Sequence, residues 1–221
     1  MNSNTHLNTR RRARTDSQKE DRRRAILEAA STHFEEVGFE SFSMSVLARA
    51  AGVAKGTLYL YFTTREEVLL ALYMEQLCNW GERLRARLTE GMEDAEFVQC
   101  FLETSREDPA LMLLGARMES VIEHNISLEA LVNAKRGIRN EVQRLAPELE
   151  RCLGLSSAAT YDLLGSLKAL QTGAVQAHSG PVLEQEPLPD DVREFIDMLS
   201  MEDVFTRNAL RILRGIRAET A

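Results

Sequence analysis

FSMSVLARAAGVAKGTLYLYF, residues 42 to 62, holds two short helical patterns separated by a single glycine. Ser43 suits a helix N-cap, and Met44, Leu47, Ala48 and Ala51 recur at three- and four-residue spacing, which predicts a helix of about two turns. Gly52 ends it. A residue just past a helix C-terminus often adopts the left-handed conformation, which costs glycine nothing, and Val53 behind it can drop back into a core. The second segment, Lys55 to Tyr61, turns Leu58 and Phe62 to one side and Lys55, Thr57, Tyr59 and Tyr61 elsewhere. Two small helices at a steep angle around a tight glycine turn make a helix-turn-helix.

What such a unit does depends on what its second helix exposes. Gly56 has no side chain, so the start of that helix can approach a phosphate and offer backbone N–H groups at its positive end. Lys55 and Thr57 can reach phosphate oxygens or base edges, and Tyr59 and Tyr61 each bring a hydroxyl and an apolar ring face. This is a surface suited to a polyanion. The alternative is an ordinary helical hairpin inside a core, with the tyrosines half buried.

AGVAKGTLYLYF, the helix before it and the Thr64-Arg65-Glu66 step after it together resemble the DNA-binding domain of the tetracycline-repressor (TetR) family over about residues 20 to 70. The resemblance implies a three-helix DNA-binding domain over residues 17 to 70. Its DNA-facing set is Ser43, Ser45, Lys55, Gly56, Thr57, Tyr59, Leu60, Tyr61 and Arg65. Two positions depart from the family pattern. Ala54 stands where a capping serine is common, a loss of about 1 kcal/mol, and Leu60 stands where a histidine or tryptophan is frequent, which offers a thymine methyl an apolar contact.

Charge is divided along the chain. The net charge of -7 taken alone disfavours nucleic acid, yet residues 1 to 65 carry 11 Lys and Arg against 7 Asp and Glu, and the remainder 16 against 27. A basic N-terminal module attracts phosphate while the acidic remainder faces away. Residues 1 to 16 lack apolar periodicity and cluster Arg10, Arg11, Arg12 and Arg14, which reads as a flexible basic arm: either a solvated tail or a strand for the minor groove. No apolar run approaches the roughly 18 residues that cross a bilayer, and the arginine-rich start has no secretion signal, so the expected location is the cytoplasm with no membrane partner. Cys78, Cys100 and Cys152 match no metal or redox spacing, in keeping with reduced thiols.

The rest of the chain has the texture of an all-α fold of about nine helices. A first helix starts near Asp16 or Ser17, buries Ile26, Leu27, Ala30 and Phe34, and ends at Gly38. Thr64 and Glu67 form a capping box that opens a helix of about 25 residues through Leu72, Tyr73, Trp80 and Leu84, a rigid lever between two domains. A short helix follows over Ala95 to Ser105. Asp108 caps another with Pro109 in its first turn, running to Glu123, and Ser127 caps a further long one that Pro147 ends or kinks. The next, Ser156 or Ser157 to Ala177, alternates leucines with Ala158, Gly165, Ala169 and Gly173, small residues that admit a close helix neighbour. After a proline-bearing loop, Ser179 to Pro189, the final helix from Asp190 to Arg217 carries two apolar stripes. Val192, Phe195, Leu199, Leu210 and Leu213 form one; Met198, Met201, Phe205, Ala209, Ile212 and Ile216 form the other. Two apolar faces need two partners, as in a homodimer closed by a four-helix bundle.

The resemblance implies that residues 71 to 221 are a ligand-binding and dimerisation domain. A cavity beside the long helix would be lined by Tyr73, Trp80, Phe97, Phe101, Met112, Met118 and Val121, with Glu119, His124, Asn125 and Tyr161 as polar anchors. No strand pattern, Gly-rich nucleotide loop, Ser/His/Asp set or metal-ligand pair stands out, so no cofactor, metal or catalytic residue is expected. The expected function is a ligand-responsive transcriptional regulator, a repressor that binds double-stranded operator DNA and leaves it when a small effector binds. The rival readings are a helical protein-interaction scaffold and a small helical enzyme.

Overall fold

The computed structural model describes residues 3–178, 189–198 and 200–220, and these hold ten α-helices and no strand. The chain divides into two compact units, Met1–Leu72 and Tyr73–Ala221.

In the first unit, α1 (Ser3–Ser41) carries the expected inward stripe, with Ile26, Leu27, Ala30 and Phe34 all buried. Its helical winding breaks at Gly38, which has φ 69°, a conformation glycine adopts without strain. The helix starts at Ser3 rather than near Asp16, so the segment expected as an arm is wound into α1 from its third residue. The side chains of Arg10 to Arg14 lie outside the described residues. α2 (Met44–Ala50) packs on α1 and α3 (Lys55–Tyr59) packs on α2, closing a core of Phe42, Met44, Leu47, Leu58 and Phe62. His33, buried on α1, pins the entry to α2: its Nε2 accepts the backbone N–H of Ser43 at 3.2 Å, and its ring lies 4.9 Å from that of Phe42. α4 (Arg65–Arg87) opens with the expected reciprocal cap. Thr64 Oγ1 accepts from the Glu67 N–H at 3.1 Å, and the Glu67 carboxylate accepts from the Thr63 N–H at 2.8 Å.

In the second unit, α5 (Asp94–Arg106), α6 (Pro109–Arg117), α7 (Leu128–Leu153), α8 (Ser157–His178) and α10 (Met201–Thr220) pack around Phe97, Leu114, Leu145, Leu167 and Phe205. Asp108 caps α6 by accepting from Leu111 N–H at 3.0 Å, and Ser127 caps α7 by accepting from Ala130 N–H at 3.2 Å. Three boundaries differ from expectation. α6 stops at Arg117, and the chain continues as a π-helix over Met118–Ile122 and a 3₁₀ turn over Glu123–Asn125, with Met118 and Ile122 still buried. α7 runs through Pro147 to Leu153: the proline forfeits one backbone bond, and the buried Leu145, Ala146, Leu149 and Cys152 around it outweigh that loss. Gly154, at φ 63°, ends it.

The third difference is at the last helix, which is two. α9 (Asp190–Met198) stops before Ser200, whose Oγ accepts from Asp203 N–H at 3.2 Å and opens α10. This brings the count to ten α-helices where about nine were expected. The buried line of α10 is Phe205, Ala209 and Leu213, drawn from both expected stripes, and it faces α5 and α8. Residues 179–188 of the proline-bearing loop, Leu199, and the side chains of Phe195 and Met198 lie outside the described residues.

Candidate functional site

The turn between α2 and α3 is built from backbone hydrogen bonds. Gly52, at φ 63°, donates to Arg49 O at 3.1 Å, and Val53 donates to Ala48 O at 2.9 Å. These are the two bonds of a Schellman motif, which satisfy carbonyls that the end of α2 leaves open. A Cβ on Gly52 would meet nothing within 4 Å, so the glycine is there for its backbone angle alone. α3 then starts from Ala54, whose side chain offers no cap, and Thr57 and Leu58 both donate to its carbonyl. Leu58 is 0% exposed and Phe62 is buried behind it, which fixes the rotation of this five-residue helix.

With that face buried, the other face points outward. Lys55, Gly56 and Tyr59 are exposed, Thr57 and Tyr61 are half-buried, and Leu60, at 81% exposure, is the most exposed large apolar residue among those described. A Cβ on Gly56 would meet nothing within 4 Å, so packing does not call for a glycine there. Ser45 is exposed on α2 and Ser43 half-buried at its start, where its hydroxyl makes no cap bond. Arg65 is arranged differently from the rest. Its guanidinium lies 4.7 Å from the Phe39 ring centroid, donates to the Phe39 carbonyl, and approaches Glu66 at 3.9 Å, so it ties α4 to the end of α1. Arg23 similarly covers the Phe62 ring at 5.2 Å.

The second unit holds a partly open cavity of about 240 Å³. Tyr73, Leu77 and Trp80 of α4, Phe101 of α5, Leu111 and Met112 of α6, Met118, Ile138, Val142 and Leu145, and Leu164 of α8 supply its apolar wall. The indole N–H of Trp80 donates to Ser105 Oγ at 3.1 Å, and its ring meets Phe101 edge-on at 5.3 Å. Six of the eleven expected residues line it, Tyr73, Trp80, Phe101, Met112, Met118 and Glu119, and Val121 does not. Phe97 is fully buried beside Phe101 as core, the His124-Asn125 turn lies off the cavity with Asn125 Nδ2 bonded to Val121 O, and Tyr161 faces outward from α8.

Charged residues that periodicity hid also reach the cavity. Glu123 pairs with Lys135; Lys168 Nζ donates to Thr172 Oγ1 at 2.9 Å and to Gly115 O at 3.3 Å, with Glu119 at 3.7 Å. Glu141, 2% exposed, is held by Arg85 at 2.6 Å and by Arg144, and it packs onto α4 where Gly81 leaves room: a Cβ there would lie 2.1 Å from the carboxylate. Burial, and then the nearby carboxylates of Glu119 and Glu123, push the Tyr73 hydroxyl far up, so it stays protonated. A sequence signal for Lys168, Gln171 and Thr172 existed in their i, i+3, i+4 spacing on one face of α8.

Two family descriptions match this chain and divide it where the units divide. Residues 26–72 match the bacterial regulatory proteins of the tetR family, and residues 74–220 match the tetracyclin repressor-like C-terminal domain. The chain belongs to the TetR family. Among relatives of this TetR-family protein is the fatty acid metabolism regulator protein of Bacillus subtilis (strain 168), 36% identical over 73 residues, which are 33% of this chain and 38% of that protein. The chain thus aligns with less than half of that relative's length. The fatty acid degradation regulator FadR from Bacillus halodurans has the same fold, with a TM-score of 0.53 at 20% identity over 86% of this chain and 97% of that one. So does a TetR variant from Acinetobacter baumannii AYE in complex with minocycline, with a TM-score of 0.51 at 18% identity over 87% and 91%. The family is one of regulators, which leaves the enzyme reading without support. No helix among the described residues is long and apolar enough to cross a membrane.

Proposed function

We propose that this protein is a cytoplasmic transcriptional repressor that binds an inverted-repeat operator as a homodimer through α3 and leaves it when a small amphipathic molecule fills the cavity of the second unit. The observation that carries the reading is α3 itself: Leu58 and Phe62 are spent on the core, and Lys55, Gly56, Tyr59 and Leu60 are left facing out. A helix so short, so exposed and so firmly oriented from behind serves contact with something else. Its cation, its bare backbone at Gly56 and its tyrosine hydroxyl are groups that bind phosphate, and the Leu60 side chain suits a thymine methyl. Ser43, Ser45, Thr57 and Tyr61 flank this centre. The Arg65 contact with Phe39 makes it a brace for the module before it is a DNA ligand.

The dimer is supported by α8, whose Ala158, Tyr161, Gly165, Ala169 and Gly173 are exposed along one side, with nothing within 4 Å of a Cβ placed on Gly165 or Gly173. Two copies joined there present two α3 helices, which must enter successive major grooves about 34 to 36 Å apart. An effector that favours the wrong spacing by about 3 to 5 kcal/mol clears the operator. The test is DNA affinity against salt. Binding should weaken steeply as salt rises, because phosphate contacts release counterions, and the double variant Lys55→Ala/Tyr59→Ala should lose it. Affinity indifferent to salt, or surviving both substitutions, overturns the proposal.

A further inference from the structure

α8 turns three hydrogen-bonding side chains toward the cavity from adjacent positions on one face: Lys168, Gln171 and Thr172. Lys168 is tethered, since its Nζ donates to Thr172 Oγ1 and to the Gly115 carbonyl. Thr172 accepts from Lys168 and keeps its own O–H to give. Gln171 is the unusual member. Its amide Nε2 is a buried donor with no hydrogen-bond partner, so an acceptor that reaches α8 gains a bond the chain does not itself make.

The carboxylates around the same cavity are not equivalent. Glu141 is engaged by both Arg85 and Arg144, and Glu123 by Lys135. Glu119 stands 3.7 Å from Lys168, too far for a good hydrogen bond, and its side chain is 58% exposed. It is therefore the acidic group most easily displaced to water, and the charge its departure uncovers is the tethered ammonium of Lys168. The remaining wall, with Trp80 and Phe101 against aliphatic neighbours, is apolar.

We infer that the cavity takes an apolar monocarboxylate, its carboxylate displacing Glu119 from Lys168 and accepting from Gln171 and Thr172, its hydrocarbon or aryl body lying against Trp80. The inference rests on reading the cavity as the effector site and adds the charge and place of the ligand's head group.

Trp80 is the single tryptophan of the chain and lines the cavity, so its emission reports occupancy directly. The purified full chain is titrated with octanoate, octan-1-ol and octyltrimethylammonium, which share a body and differ in head-group charge. Octanoate should bind about tenfold more tightly than either of the others, the ratio one charge-assisted hydrogen bond supplies. Lys168→Met should bring octanoate down to the level of the alcohol. Gln171→Leu, which removes no charge, should cut the preference by a smaller factor and serves if the first variant does not fold. Should the alcohol match octanoate, or the ammonium exceed it, the carboxylate assignment falls while the cavity stands. If none of the three moves Trp80 emission, the effector-cavity reading falls with it.

Discussion

α2 and α3, of seven and five residues, are placed by turn chemistry: a Schellman turn at Gly52 and two buried anchors, Leu58 and Phe62, within ten residues. The cavity of the second unit is placed by tertiary assembly, with side chains from α4 through α8 meeting around a space that no local segment specifies. A module whose geometry is local has few ways to be rebuilt and keeps a fixed outward face. One whose geometry is distributed can change its lining residue by residue.

This contrast can be broken at its local end by Leu58→Ala. Emptying a fully buried site in so small a core should cost about 2 to 5 kcal/mol, visible as a lower urea midpoint and as loss of DNA binding, while octanoate titration of Trp80 is unaffected. If ligand binding is lost too, the two regions are less independent than their construction suggests. Next in size is Gly81→Ala. The new methyl would strike the Glu141 carboxylate, which Arg85 and Arg144 hold in place, so overpacking should cost about 1 to 3 kcal/mol; a neutral result in thermal unfolding would mean that this ion-pair cluster yields freely.

Much of the first unit was legible because its signals are single residues with one purpose. Gly38 and Gly52 mark helix ends, and Thr64 with Glu67 marks a helix start, all as the structure has them. Asp108, Pro109 and Ser127 were legible in the second unit for the same reason. The misreadings occurred where a local rule lost to packing: α7 does not end at Pro147, the first of the two outcomes expected there, and the stripe drawn from Met118 onward is wound as a π-helix. At Ser200 the signal was present, a serine three residues before Asp203, and the continuous apolar pattern across it masked the break. The aromatic and methionine part of the cavity was readable from residue type. Apart from Glu119, its charged part was not, because Glu141 and Lys168 look like solvated helix positions until α4 or the Gly115 carbonyl is seen beside them.

Smaller effects sharpen the local end of the comparison. Gly52→Ala should cost about 1 to 2 kcal/mol, the strain of a left-handed backbone for a residue with a Cβ, even though space for that Cβ is open. A cost near zero in chemical unfolding would show that the turn relaxes. Ala54→Ser restores a side-chain cap to α3 at a residue already extended, with φ -64° and ψ 146°, and should add about 1 kcal/mol of stability. A stabilised variant that binds DNA less well would place the serine hydroxyl in conflict with the contact surface.

The outward face of α3 is the claim on which the rest depends, and footprinting of the DNA flanking the protein's own gene tests it most directly. The account predicts a protected inverted repeat whose half-sites lie about one helical turn apart, protection that fades as salt rises, and none with Lys55→Ala/Tyr59→Ala. Protection that persists undiminished in that double variant would contradict it.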